Sequence, residues 1–207
     1  MTGVMGLPYD SGVKAVPDTE SSQAPGPWIL TFTGIEFYPL DPRTDDIRVT
    51  DIAHALAHQC RYSGHTLFFY SVAEHCVHVS RMVHEATKSS VAALDALLHD
   101  ASEAYLVDLP GPLKMQWVVG HEYRKAEHRL QSAIRSAFGL DGEIPEVVGK
   151  ADKAMLWFEY RTLMHRHEGF EKWSRFTVGF SEPEIECWDP GVAEMRFLGR
   201  FLELSEK

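Results

Sequence analysis

Residues 71–107, SVAEHCVHVSRMVHEATKSSVAALDALLHDASEAYLV, decide the fold. Ser71 can cap a helix through VAEHCVHVSRMVHEA, and Glu74, three residues on, completes a capping box. Val72, Cys76, Val79 and Val83 recur at helical spacing and form one apolar stripe. Ser89 or Ser90 starts a second helix, VAALDALLHDASEAYLV, which Pro110 and Pro112 then break. Two amphipathic helices in direct succession predict helix packed on helix.

The flanks extend this reading. On the C-terminal side, HEYRKAEHRLQSAIRSAFG (121–139) is an amphipathic helix closed by Gly139. After a turn at Asp141-Gly142, PEVVGKADKAMLWFEYRTLMHR (145–166) predicts another, and a last helix is expected at about 190–204. On the N-terminal side, Thr50 or Asp51 can cap a helix through IAHALAHQC (52–60). In WILTFTGIEFYPLDP (28–42), aromatic and β-branched residues surround Gly34, which reads as a hairpin over about 28–39. Residues 1–27, rich in Gly, Pro, Ser and Asp, are expected to be a flexible arm. The expected fold is all-α: one helical domain over 28–207, with a small N-terminal β-hairpin, a core at about 50–168 and a C-terminal helical extension. No internal repeat interrupts it.

Composition narrows the function classes. The 207-residue chain carries a net charge of −10, which disfavours a nucleic-acid polymer or a membrane surface as partner. Its three cysteines include no C-x-x-C pair, so neither a disulfide framework nor a zinc ribbon is expected. The first residues lack the pattern of a secretory signal, and no apolar run is long enough to span a bilayer. A soluble, cytoplasmic protein is expected. Eleven histidines hint at metal chemistry.

Helical geometry sorts those histidines. His75 lies on or beside the Val72–Val83 stripe, whereas His78 falls with Glu74, Arg81 and Glu85 on the opposite, polar face. On the next helix Ala92, Ala96, His99, Asp100, Glu103 and Val107 share one face, which places a histidine and two carboxylates in an otherwise apolar surface. Buried carboxylates demand partners. Basic residues from elsewhere would serve, and so would a divalent cation. Asp152 likewise interrupts the stripe Val148, Ala151, Met155, Phe158. His75, His99, Asp100 and Asp152 together make a two-histidine, two-carboxylate set suited to one divalent transition ion: Mn²⁺, Co²⁺, Zn²⁺ or Fe²⁺. A rival pair, His54 and His58, is spaced i, i+4, but ALA stands between them where H-E-x-x-H chemistry needs a glutamate. That pair reads as structural.

In the order SVAEHCVH, LLHDASE, KADKAML, the chain resembles the HD superfamily of metal-dependent phosphohydrolases. It is most similar to bacterial 5′-deoxynucleotidases and phage deoxynucleoside triphosphate triphosphohydrolases, because HDASE is followed by DLPGPLK at 108–114. The likeness covers about residues 50–165. It implies an HD-domain helical bundle and hydrolysis of nucleoside phosphates at the α-phosphorus, with monophosphates as the expected substrate. Release of triphosphate, or nucleotide sensing without turnover, are the alternatives. The resemblance implies a catalytic role for Glu103 and for Asp108, and substrate contacts for Arg61 and Lys114. His65, between Arg61 and His75, is expected at the pocket lip. Additional Mg²⁺ or Co²⁺ accompanying the phosphates, and a homo-oligomer, also follow from it.

Overall fold

The computed structural model describes residues 26–206, so the expected arm lies outside the described residues except for its last two positions. The fold is all-α with one small hairpin, as the periodicity requires. Strands β1 (Ile29–Leu30) and β2 (Glu36–Phe37) pair antiparallel, with Ile29 opposite Phe37 and Leu30 opposite Glu36. The hairpin is held by side chains rather than by its own short ladder. Phe37 is fully buried and stacks on Tyr105 with centroids 4.0 Å apart. Asp51 accepts hydrogen bonds from the Thr33 N–H at 2.7 Å and its hydroxyl at 2.8 Å.

Asp51 therefore has a different task from the expected one. Helix α1 (Val49–His58) begins at Val49, and neither Thr50 nor Asp51 caps it. Helix α2 (Val72–Thr87) is the spine of the molecule. Ser71 caps it, its hydroxyl accepting from the Glu74 N–H at 3.1 Å. The other half of the capping box does not form. The buried Glu74 carboxylate instead accepts from the main-chain N–H groups of Glu186, Cys187 and Trp188 at 2.7–3.1 Å. Segment 186–188 thus covers the face expected to be polar. His78 is buried there at 2% exposure, with Trp188 5.3 Å away, so it points inward, contrary to the sequence reading.

The expected helix over 91–107 is broken. Helix α3 (Ser90–Leu97), capped by Ser89, gives way to a turn through Ser102 and then to one turn of α4 (Glu103–Leu106). Two glutamines bond the main chain around the break. Gln131 donates to the Leu98 carbonyl at 2.7 Å and accepts from the Ser102 N–H at 3.2 Å. Gln59 donates to the Glu103 carbonyl at 2.9 Å and accepts from the Asp108 N–H at 3.2 Å. Past the break the face argument fails: Val107 adopts φ +70° and is 64% exposed rather than inward.

A short α5 (Gly111–Lys114) leads into α6 (Trp117–Ala137), which begins four residues before the predicted start. Helix α7 (Glu146–Leu163) follows, then a 3-10 stretch over Glu168–Thr177 and helix α8 (Pro190–Ser205). The core has two parts, and α2 contributes to both. One joins α1, α2, α3, α6 and α8 around Leu56, Leu97, Leu130, Ile134 and Phe197. The other joins α2, α3 and α7 around Val79, Met155, Phe158 and Leu163. Helix α8 is therefore part of the main core rather than an extension of it: Ala193 and Phe197 are fully buried. Among the described residues no helix is long and apolar enough to cross a membrane.

Candidate metal centre

Three elements meet beside the α2 spine: α2 brings His75, the turn after α3 brings His99 and Asp100, and α7 brings Asp152. These are the four residues singled out in the sequence, and the fold brings all of them together. His75 Nε2 lies 3.3 Å from His99 Nε2, 3.3 Å from Asp152 Oδ1 and 3.7 Å from Asp100 Oδ2. His99 Nε2 lies 3.2 Å from Asp100 Oδ2 and 3.9 Å from Asp152 Oδ1.

The tautomers follow from the outer partners of the rings. His75 Nδ1 faces Glu159 Oε1 at 2.6 Å, and His99 Nδ1 donates to the Ala96 carbonyl at 2.8 Å. Each ring thereby turns Nε2 toward its neighbour. Two imidazole nitrogens facing each other at 3.3 Å repel when both carry protons or both carry lone pairs, and attract only when a single proton lies between them. A metal ion could take the place of that proton. Donor atoms about 2.0–2.2 Å from one ion stand roughly 3–3.5 Å apart, so His75, His99 and Asp152 can hold a metal ion, with Asp100 Oδ2 3.2 Å from His99 Nε2 beside them. A second grouping joins Cys76 to His99 and Asp100, sharing only His99 with the first. Burial pushes the Cys76 thiol up to about 11, which favours the carboxylate of Asp152 as the ligand.

The charges are strongly coupled. Burial opposes charge on every member, and the partners outweigh it. His99 holds Asp100 well below the usual carboxylate range, and His75 holds Asp152 low. Conversely, Asp100 raises the proton affinity of His99 well above normal, while Glu159 and Asp152 raise that of His75 against the opposing Arg61.

Glu103 is 3% exposed, one turn beyond the His99-Asp100 pair. Burial, then the charges of Asp100 and Asp108, push its carboxyl up to about 8, against the pull of Lys114. Its Oε1 accepts from Lys114 Nζ at 3.1 Å, and its buried Oε2 has no hydrogen-bond partner among the described residues. Lys114 also donates to Glu127 at 2.7 Å, so it keeps a nearer carboxylate when Glu103 is protonated. Asp108 is half-buried, close enough to raise Glu103, with its N–H on Gln59.

Arg61 is buried and lies 3.4 Å from both Asp100 Oδ2 and Glu159 Oε2. The turn that carries it is unusual: Tyr62, Ser63 and Gly64 all adopt left-handed conformations, with φ +56°, +53° and +80°. That turn aims the Tyr62 hydroxyl at Glu159. His65, by contrast, is exposed and stays outside the cluster. Two cavities, of about 580 and 650 Å³, have no cluster residue in their walls; the first is lined by Lys150, Lys153 and Arg175 with Phe176 and Phe180.

Glu159 and Tyr62 are the members that the sequence reading missed. Glu159 lies seven residues after Asp152, two turns along the same helical face, so the argument that singled out Asp152 could have found it. Tyr62 gave no such signal, because its position depends on a left-handed turn.

The fold and the cluster define a helical protein with a candidate metal-binding centre built on three of its helical elements. The chain belongs to the same family as the uncharacterized protein YfdR of Escherichia coli (strain K12), to which it is 37% identical over 184 residues, covering 86% of this chain and 96% of that one. It is also 37% identical over 163 residues to an uncharacterized protein of Rhodobacter capsulatus, covering 77% of each. No family model matches the chain.

Proposed function

We propose that the protein is a metal-dependent phosphohydrolase of the HD type that acts at the α-phosphorus of deoxynucleoside 5′-monophosphates. The observation that supports this reading is the convergence of His75, His99, Asp100 and Asp152 beside a protonatable Glu103. The chemistry such an ion supplies is Lewis acidity, which withdraws charge from a phosphoryl oxygen and acidifies water. Mn²⁺, Co²⁺, Zn²⁺ and Fe²⁺ all suit the donor set.

The residues of the chain supply the proton transfers. Without a metal, burial and the charges of Asp100 and Asp108 push the Glu103 carboxyl up to about 8, which makes it the readiest carrier of a proton beside the cluster. It gives that proton to the departing 5′ oxygen as the P–O bond breaks, and it takes one back from the water whose oxygen joins phosphorus. Asp108 keeps Glu103 basic enough for that return. In this reading Arg61, beside Asp100, would meet a phosphate oxygen, and Lys114 would steady Glu103.

Charge supports the monophosphate over the triphosphate. Arg61 and Lys114 each already face two carboxylates, which leaves little positive charge here for two further phosphates. The exposed Met115, Trp117 and Val118 near Lys114 suit a contact between copies of the chain, in line with a homo-oligomer; a cytoplasmic location belongs to the same proposal. The test is phosphate release from a panel of deoxynucleoside monophosphates with Mn²⁺, Co²⁺ or Zn²⁺, run beside an assay for released triphosphate. Orthophosphate from monophosphates is the expected product. Inorganic triphosphate would move the assignment to a triphosphohydrolase, and tight nucleotide binding without either product would make the protein a sensor.

A further inference from the structure

Away from the centre, α1 and α8 place a second group of ligand atoms on the surface. His54 and His58 lie one turn apart on α1, and Glu194 approaches from α8. The three offer ligand atoms within 4.8 Å of one another and share no residue with the first cluster. The i, i+4 spacing alone is weak, because two histidines do not make a site. The third donor, 136 residues further along the chain than His58, is what the sequence could not supply.

Each ring is already oriented. His54 Nδ1 faces Glu194 Oε2 at 3.0 Å, and Phe32 of the hairpin stacks on the same ring at 3.7 Å and 8°. His58 donates from Nδ1 to the His54 carbonyl at 2.8 Å, which leaves its Nε2 as the ligand atom. The two imidazoles lie 4.2 Å apart. An ion pair between His54 and Glu194 would explain two of the three residues and would leave unexplained the tethering of an exposed His58 beside them.

We propose that His54, His58 and Glu194 form a second metal site for a borderline divalent ion such as Zn²⁺, which fastens α1 to α8. Two ligands on a tetrahedral zinc stand about 3.3 Å apart, so the 3.0 Å contact opens by a few tenths of an ångström as the ion replaces the proton between His54 and Glu194. His54 binds as neutral imidazole with a proton on Nε2: an imidazolium releases its Nδ1 proton to solvent, and a neutral ring moves that proton to Nε2 through solvent. The side chains of His54 and Glu194 are 30% and 22% exposed, which lets water complete the coordination. Imidazole with one carboxylate selects zinc, copper, nickel or cobalt over magnesium or calcium.

The proposal stands independently of the phosphohydrolase reading, and the experiment keeps the two apart. The full chain is stripped of metal and dialysed against zinc chloride, and bound zinc is counted per chain. In H99A/D100A, which disables the first centre, one zinc ion remains and raises Tm. Adding His58→Ala and Glu194→Gln to that variant abolishes both the zinc and the shift. In the otherwise intact chain, His58→Ala with Glu194→Gln lowers bound zinc by one, which covers the case where H99A/D100A does not fold. Zinc counts unaffected by His58→Ala and Glu194→Gln in either background would overturn the proposal.

Discussion

His75 Nδ1 lies 2.6 Å from Glu159 Oε1, and both side chains are completely buried. The carboxylate fixes the ring and thereby decides which nitrogen faces Asp100, Asp152 and His99. Glu159→Gln retains a hydrogen-bonding side chain but loses the charge. Removing such an outer partner typically weakens metal affinity about 10- to 100-fold. Titration of the stripped variant with Mn²⁺ or Zn²⁺ checks this, and unchanged affinity would mean that the pair is structural only.

The same carboxylate gives the protein an acid limb. Burial opposes its charge, but Arg61 and then His75 outweigh burial and take Glu159 from 4.5 to about 2. A lowered folded-state value contributes stability that is present above about pH 4.5 and is lost as pH falls toward 2. The shift corresponds to on the order of 3 kcal/mol. Denaturant unfolding of metal-free protein between pH 6 and pH 3 should therefore show a shallower loss in Glu159→Gln than in the wild type.

Metal binding should itself strengthen as pH rises. His75 and His99 both hold protons more tightly than ordinary histidines, and each must lose its Nε2 proton to solvent before that nitrogen can bind a metal. Apparent affinity measured in steps from pH 6 to pH 8 is expected to climb by roughly tenfold or more per unit at the acid end. A flat profile would argue against the two histidines as ligands.

Glu103→Gln separates chemistry from binding. Glu103 is not among the four metal-ligand candidates, so metal content should be retained while turnover falls by about 10²- to 10⁴-fold, the usual worth of a positioned acid–base group. Loss of bound metal in this variant would instead make Glu103 a ligand.

Glu74→Ala tests the fold rather than the site. It strips partners from three main-chain N–H groups at 186–188, at about 1–3 kcal/mol for each left unsatisfied. Because water reaches part of that segment, the expected loss is on the order of 3–5 kcal/mol by chemical denaturation. A loss below about 1 kcal/mol would show that the carboxylate does not hold the segment down.

The sequence by itself determined the helical class, the hairpin and the four candidate ligands. His75 and Asp152 each interrupt a periodic apolar stripe, and a helix of fixed pitch converts that interruption into a direction. His99 and Asp100 lie just past the end of α3, in a turn whose tight local hydrogen bonds carry them on toward the core, so helical spacing still points to them. What followed the break was illegible: Val107 turns outward at φ +70°, in a segment that Gln131 of α6 and Gln59, just past α1, bond from far along the chain. Only the tertiary structure buried His78, because the cover over that face arrives more than 100 residues later and is held by Glu74. Only the tertiary structure brought Arg61 and Tyr62 to Glu159, through a left-handed turn, and Glu194 to His54. Local periodicity records which way a side chain points; which groups meet it there depends on packing between elements remote in sequence.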